Sequence, residues 1–259
     1  MKVLFHKYQG TGNDFIMIDN LSGEYSFLDA THVQQLCNRR FGIGADGLIL
    51  INAHSTLDFE ADYYNSDGSK SFCGNGARCA VQFYARNHSN QREFTFMAID
   101  GIHSARIINN EISLEMSPVL SIEKYNDDFV LNTGSPHYVK SVVDLQQIEV
   151  VHLGREVRYS DDFREVGINV NFVKHISSTH ISIRTYERGV EDETLSCGTG
   201  ATACALVAGQ ALSVGNHSIC VDVLGGKLQI AFLRNEDGSY SNVTLQGPAA
   251  LVYVGEINV

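Results

Sequence analysis

The chain has 259 residues, 44% of them hydrophobic, and a formal net charge of −11 from 30 acidic and 19 basic side chains. That is enough apolar material for one large domain or two ordinary ones with a real core, and the acidic balance argues against nucleic acid or anionic lipid as the main partner, because both demand a basic face. The first residues, "MKVLFHKYQG", hold no apolar run of signal-peptide length, and no stretch approaches 18 apolar residues; together these predict a cytoplasmic chain.

Short strands dominate the predicted elements. "VLFHKY", "FIMID", "GLILI", "FEADYY", "EFTFMAID", "HSARII" and "EISLEM" fill the first 116 residues. Several carry the alternation of a half-buried strand. Asp29 predicts an N-cap for a helix running to about Phe41, with Val33, Leu36 and Cys37 on its inner side. A second helix is expected from "ARCAVQFYARN", starting at Ala77, just after the step "FCGNGARCA" at 72–80. Asn109-Asn110 marks a hairpin turn.

After Pro118 the pattern begins again. "FVLNTG", "HYVKSV", "GINVNFVKH", "HISIRTY", "SICVDV", "KLQIAFL" and "SNVTLQ" read as strands, with a helix near Asp144 and a turn at Gly225-Gly226. The step "SCGTGATACA" at 196–205 precedes "ATACALVAGQAL", apolar on every face from Ala201 on, as a helix enclosed by protein would be. Three pairs of segments recur in order at offsets of 122 to 124: "GTGNDFIMI" with "NTGSPHYVK", Tyr64-Asn65 with Tyr186-Glu187, and Cys73 with Cys197. An internal duplication accounts for them. The expected lobes are residues 1–117 plus 249–259, carrying Cys73, and 118–248, carrying Cys197. The last segment, "ALVYVGEINV", returns to the first lobe as an added strand.

The six cysteines (37, 73, 79, 197, 204 and 220) include no Cys-x-x-Cys pair, so neither a structural zinc nor a redox pair is supported. Cys73 and Cys197 each precede Gly-x-Gly at a helix mouth. There the backbone can approach a ligand closely, and free N–H groups and the helix dipole favour a thiolate or a carboxylate. Cys79 and Cys204, inside the helices, read as ordinary buried cysteines. A cysteine hydrolase needs one thiol. Inverting a carbon centre by proton exchange needs a base on one face and an acid on the other, which explains a duplicated thiol. "GIGADG" (42–47) has the spacing of a dinucleotide loop but follows a helix and enters a strand, the reverse of that motif's order.

The stretches "GTGNDF" (10–15), "NSDGSKSFCGNGAR" (65–78) and "YERGVEDETLSCGTGA" (186–201) resemble diaminopimelate epimerase, as do "GIGADG", "GSPH" (134–137) and "INVNF" (168–172). The resemblance covers nearly the whole chain. It implies an α/β (α+β) fold of two pseudo-symmetric domains, each a β-barrel-like sheet around a central helix, with the active site in the cleft between them. It implies a cofactor-free, metal-free amino-acid epimerase that interconverts L,L- and meso-2,6-diaminopimelate for lysine biosynthesis and acts as a homodimer. Cys73 and Cys197 would be thiolate base and thiol acid. Asn13, Asn65, Asn169, Glu187 and Arg188 would hold the substrate, Gly74-Asn75 and Gly198-Thr199 would grip its carboxylate, and His137 and Glu187 would tune the cysteines. Ser135 stands where the family pattern carries Asn, and the Asn65–Cys73 step is one residue shorter than usual. Proline or hydroxyproline racemisation and thiol redox chemistry are the rival readings, separable by direct assay on proline and by whether a Cys73–Cys197 disulfide cycles in function.

Overall fold

In a computed structural model that describes all of residues 1–259, the chain divides into two compact units, Met1–Leu114 with Gly247–Val259, and Glu115–Gln246. The first unit contains β1 (Lys2–Gly10), β2 (Asn13–Asn20), α1 (Ala30–Cys37), β3 (Gly47–Asn52), β4 (Phe59–Asn65), α2 (Gly74–His88), β5 (Glu93–Ala98), β6 (Gly101–Ile108) and β7 (Glu111–Glu115). The second contains β8 (Glu123–Tyr125), β9 (Asp128–Asn132), β10 (Pro136–Ser141), a 3₁₀ turn (Leu145–Gln147), α3 (Val150–Arg158), β11 (Asn169–Ser177), β12 (His180–Glu187), β13 (Asp192–Thr194), α4 (Gly198–Gly209), β14 (Gly215–Val223), β15 (Gly226–Arg234) and β16 (Tyr240–Gly247). The last strand, β17 (Ala250–Asn258), pairs antiparallel with β1 in the first unit.

Both units pair their strands in the same sequence. In the first, β1–β2 is antiparallel, β2–β3 parallel, β3–β4 antiparallel, β4–β5 parallel and β5–β6 antiparallel. In the second, β9–β10, β10–β11, β11–β12, β12–β14 and β14–β15 repeat that alternation, with β13 added beside the end of β12. The duplication read from short motifs is thus a duplication of topology.

In each unit the strands carry a long helix on one face and a short one on the other. Helix α2 packs on β1, β2, β3, β4 and β17; α4 packs on β9, β10, β11, β12, β14 and β15. Strands β2 and β3 are buried on both faces because Ile16, Ile18, Leu48 and Leu50 meet α1 while Phe15 and Ile49 meet α2. That is why "FIMI" and "LILI" are unbroken apolar runs rather than alternating ones. In the second unit Val170, Phe172 and Tyr186 face α3, and Val173, Ile181 and Ile183 pack with the α4 core. Every residue of α4 except Thr199 is buried, which accounts for its lack of a polar face.

The structure corrects four helix boundaries. Helix α1 has its N-cap at Asp29, with a capping box to His32, but ends at Cys37 rather than near Phe41. Asn38 turns extended there, and its side-chain oxygen takes the N–H groups of Arg40 and Phe41 into a turn. Asp144 caps only a 3₁₀ turn, and the helix proper begins at Val150. Helices α2 and α4 start at Gly74 and Gly198, three residues before the expected Ala77 and Ala201. Glycine in the first turn does not delay a helix whose first carbonyl partners are in place: Ala77 N–H donates to Cys73 O and Ala201 N–H to Cys197 O, at 2.8 and 2.9 Å. Asn109 and Asn110, both left-handed (φ 51° and 67°), make the β6–β7 turn. The β14–β15 turn falls one residue earlier than expected, at Leu224-Gly225. No helix is long and apolar enough to cross a membrane.

Candidate active site

The corrected helix starts make Cys73 and Cys197 the N-cap residues of α2 and α4. Both are extended (φ −135°, ψ 114° and φ −115°, ψ 110°), and neither side chain caps its own helix. A cap residue keeps its side chain beside the first-turn N–H groups, which lack intrahelical carbonyl partners. The three N–H groups after each sulfur therefore belong to Gly74, Asn75 and Gly76, and to Gly198, Thr199 and Gly200.

In the first unit the β1–β2 turn, Thr11-Gly12, is left-handed at both positions (φ 51° and 87°), bringing Asn13 round to the start of α2. The amide oxygen of Asn13 accepts from Cys73 Sγ at 3.5 Å and from Asn75 Nδ2 at 3.2 Å. Its Nδ2 donates to Asp46 Oδ2 at 2.6 Å. Next to it, burial pushes the Asp14 carboxyl up, but the hydrogen bonds and charges of Arg39 and Lys7 outweigh this and hold it at about 2. Lys7, itself buried, also donates to Gly44 O. Asn65, at the end of β4, ties its own loop: Nδ2 donates to Ser69 O and Ser71 Oγ, and the backbone N–H to Ser69 O. Arg78 is fully buried one turn into α2 and donates through Nη2 to Thr11 Oγ1 at 3.2 Å. Burial pulls its pKa down, while the neighbouring Cys79 and Cys73 sulfurs act the other way.

In the second unit one polar network surrounds the start of α4. Asn171 is fully buried on β11. Its Nδ2 donates to Tyr138 O at 2.9 Å, and its Oδ1 accepts from Thr185 Oγ1 at 3.0 Å. These two partners fix the amide's orientation, so the 3.1 Å contact of Nδ2 with His137 Nδ1 makes that ring nitrogen an acceptor. Burial first, then the Arg188 charge, pull His137 down to about 3. The ring is therefore neutral with its proton on Nε2, which faces the hydroxyls of Thr199 and Ser135, each at 2.9 Å. Thr199 Oγ1 lies 3.5 Å from Cys197 Sγ. His137 thus reaches the sulfur through a hydroxyl.

The other expected residues lie around this network. Asn169 gives its amide N–H groups to Ser135 Oγ and Pro136 O and accepts the Arg188 N–H, so it fixes the backbone at Arg188. Arg188 Nη1 donates to Val166 O. Glu187 Oε2 accepts from Thr194 Oγ1 at 2.9 Å. Ser135 bonds His137 and Asn169 directly, and Thr199 at 3.2 Å. By contrast, burial pushes the thiols of Cys37 and Cys79 up to about 12, and that of Cys204 well above its ordinary value. Those three sulfurs stay protonated and inert.

Sequence reasoning missed Asp46, Asn171 and Thr185. Asn171 left a trace: a polar side chain within "INVNF", a strand otherwise buried on both faces. Elsewhere in the second unit, His180, Cys220 and Asp222 bring ligand-type atoms within 4.8 Å of one another on the outer face of β12 and β14. Asp222 there already answers His180 at 2.8 Å and Lys227 at 3.0 Å, and the Lys227 ammonium supplies the positive charge. An ion-pair cluster accounts for it.

The family model described as diaminopimelate epimerase matches residues 5–119 and 129–252. The chain belongs to the diaminopimelate epimerase family. It is 48% identical over 250 residues to the diaminopimelate epimerase of Flavobacterium psychrophilum, covering 96% of this chain and 97% of that one. It is 40% identical over 261 residues to the Chlorobaculum tepidum protein of the same name, covering 96% and 99%. Among solved structures, a PhzF-family phenazine biosynthesis protein from Bacillus anthracis superposes with a TM-score of 0.78 at 12% identity over the full length of both chains. A probable proline racemase from Agrobacterium radiobacter gives 0.68 at 12% identity, covering 99% of this chain and 93% of that one. At such identities the structural likeness is one of fold, and it bears out the α+β fold of the family.

Proposed function

We propose that this chain is a cofactor-independent epimerase interconverting L,L- and meso-2,6-diaminopimelate in cytoplasmic lysine biosynthesis. One observation carries the reading: each duplicated unit opens its Cys-Gly-x-Gly step with a cysteine that is the N-cap of its buried helix. Inversion at an α-carbon calls for proton removal on one face and delivery on the other. Cys73 and Cys197 take these roles and exchange them with reaction direction. The N–H groups of Gly74-Asn75 and Gly198-Thr199 grip the carboxylate at the reacting carbon. There the positive helix ends also favour the carbanion's developing charge. Asn13, Asn65, Asn169 and Glu187 hold the rest of the substrate, and Arg188 takes the distal carboxylate in a two-point grip. His137, neutral and hydrogen-bonded to the Thr199 hydroxyl, with Glu187, sets the protonation of Cys197.

Positioned acid–base groups contribute about 10²–10⁴-fold, and helix-end electrostatics with exclusion of water supply much of the remainder. A homodimer is part of the proposal. Leu4, Val252 and Val254, 47%, 57% and 49% exposed on the β1–β17 pair, support it, and sedimentation velocity tests it. The functional test is chiral chromatography of purified protein with L,L-diaminopimelate, using proline as control. Formation of the meso form by wild type but not by Cys73→Ala or Cys197→Ala is expected. Turnover of proline instead, or full activity in either variant, would refute the assignment.

A further inference from the structure

The "GIGADG" stretch is the one motif to which the proposed reaction gives no task. Its acid does not point away from the site. Asp46 Oδ2 accepts from Asn13 Nδ2 at 2.6 Å and from Asp14 N–H at 3.2 Å, while Oδ1 accepts from Arg39 Nη2 at 2.7 Å. A carboxylate only accepts, so the Asn13 amide must turn its nitrogen to Asp46 and its oxygen away. That oxygen is the atom meeting Cys73 Sγ and Asn75 Nδ2. With the amide reversed, Nδ2 of Asn13 would face Nδ2 of Asn75, donor against donor.

The sheet explains why this loop is the brace. β3 lies between β2, parallel, and β4, antiparallel, with Gly47 opposite both Phe15 and Asn65. Residues just before β3 therefore adjoin the start of β2, at Asn13, and the end of β4, at Asn65. The Asp46 carbonyl accepts the Ser66 N–H at 3.0 Å. A Cβ on Gly47 would lie 2.4 Å from the Tyr63 ring and 2.5 Å from Tyr64 O, so only glycine lets β4 close on this point. Arg39, paired with both Asp14 and Asp46, keeps the Asp46 carboxylate turned toward Asn13.

We propose that Asp46 is a positioning residue of the epimerase: it locks the Asn13 amide so that its oxygen faces Cys73 and Asn75. The inference rests on the reading of Asn13 and Cys73 as site residues. It acts through Asn13 alone, and that separates it from a general role in holding the loop.

A double-mutant cycle on kcat/KM for L,L-diaminopimelate tests it, using Asn13→Ala, Asp46→Ala and the double variant, with Asp46→Asn in addition. Loss of a hydrogen bond to a charged group corresponds to a fall of about 10-fold or more for Asp46→Ala in the wild-type background. In the Asn13→Ala background the same change should cost less than about 3-fold, because the amide it orients is gone. Asp46→Asn, which keeps an oxygen for Asn13, should recover part of the loss with an unchanged thermal midpoint relative to Asp46→Ala. Equal falls in both backgrounds would overturn the proposal and leave Asn13 in the site. An Asn13→Ala variant with wild-type kcat/KM would overturn the reading of Asn13 and the proposal with it. Should Asp46→Ala fail to fold, the cycle runs with Asp46→Leu, which also removes the acceptor, under the same criteria.

Discussion

The second glycines of the two Cys-Gly-x-Gly steps look equivalent in sequence, yet alanine should affect them very differently. A Cβ on Gly76 would lie 3.1 Å from Ile49 Cδ1 and 3.4 Å from the Phe15 ring, both movable ends of side chains. A Cβ on Gly200 would lie 2.5 Å from Asn171 Oδ1 and 3.3 Å from Cys197 Sγ. Alanine in a helix gains about 0.8–1.0 kcal/mol over glycine. At Gly76 that gain offsets a mild squeeze, so Gly76→Ala should stay within about 1 kcal/mol of wild type. At Gly200 the overlap costs about 1–3 kcal/mol. Displacing the Asn171 oxygen also breaks its bond from Thr185, worth about 0.5–1.5 kcal/mol. After the helix gain, Gly200→Ala should be destabilised by about 0.5–4 kcal/mol. Because Asn171 holds the His137 ring, kcat/KM should fall as well. Urea midpoints with constant slope, and kcat/KM for both variants, provide the assay. Equal stability of the two, or a Gly200→Ala enzyme with wild-type activity, would refute the tight contact between α4 and Asn171.

Thr199→Val keeps the shape and the backbone N–H but removes the hydroxyl joining His137 to Cys197, so kcat should fall about 10-fold, with KM little changed; a full loss of binding would contradict this. The His137 pKa is depressed in the folded state, so the unfolded chain takes up a proton as pH falls below its ordinary 6.5 while the folded chain waits until about 3. Its contribution is therefore complete above pH 6.5 and lost toward pH 3. Unfolding free energy should fall by up to about 1.4 kcal/mol per pH unit across that window, and His137→Gln should flatten the slope measured by urea titration between pH 7 and 4. The buried Arg78 cation favours the Cys73 thiolate, so Arg78→Met should move the pH midpoint for iodoacetamide alkylation of Cys73 upward; a downward shift would show that Arg78 does not act on that sulfur by its charge.

Much of this was readable in the chain because local pattern and tertiary context agreed. The strands announced themselves by composition, and α4 by being apolar all round. The offset of Cys73 and Cys197 carried the duplication, since a copied fold keeps its turn and cap chemistry even when its core residues drift. Helix starts were misplaced because a Gly-x-Gly opening reads as a loop by propensity, whereas the first turn depends on the cap geometry and the i→i+4 carbonyls. Asp46 and Asn171 escaped notice for a different reason. Each works by orienting another side chain, and which amide faces which carboxylate or ring nitrogen depends on strand register, not on spacing within a motif. Ser135, noted only as a departure from the family pattern, proved to join Asn169, His137 and Thr199.

The central claim is that two thiols, one acting as base and one as acid, invert a single carbon, and turnover in heavy water tests it most directly. The proton delivered by the second cysteine comes from solvent, while the one removed stays with the first until it exchanges. Mass spectrometry at early times should find deuterium at the inverted carbon of meso-diaminopimelate and almost none in the remaining L,L substrate. Early and equal labelling of substrate and product would mean a single group serving both faces, and would contradict the account.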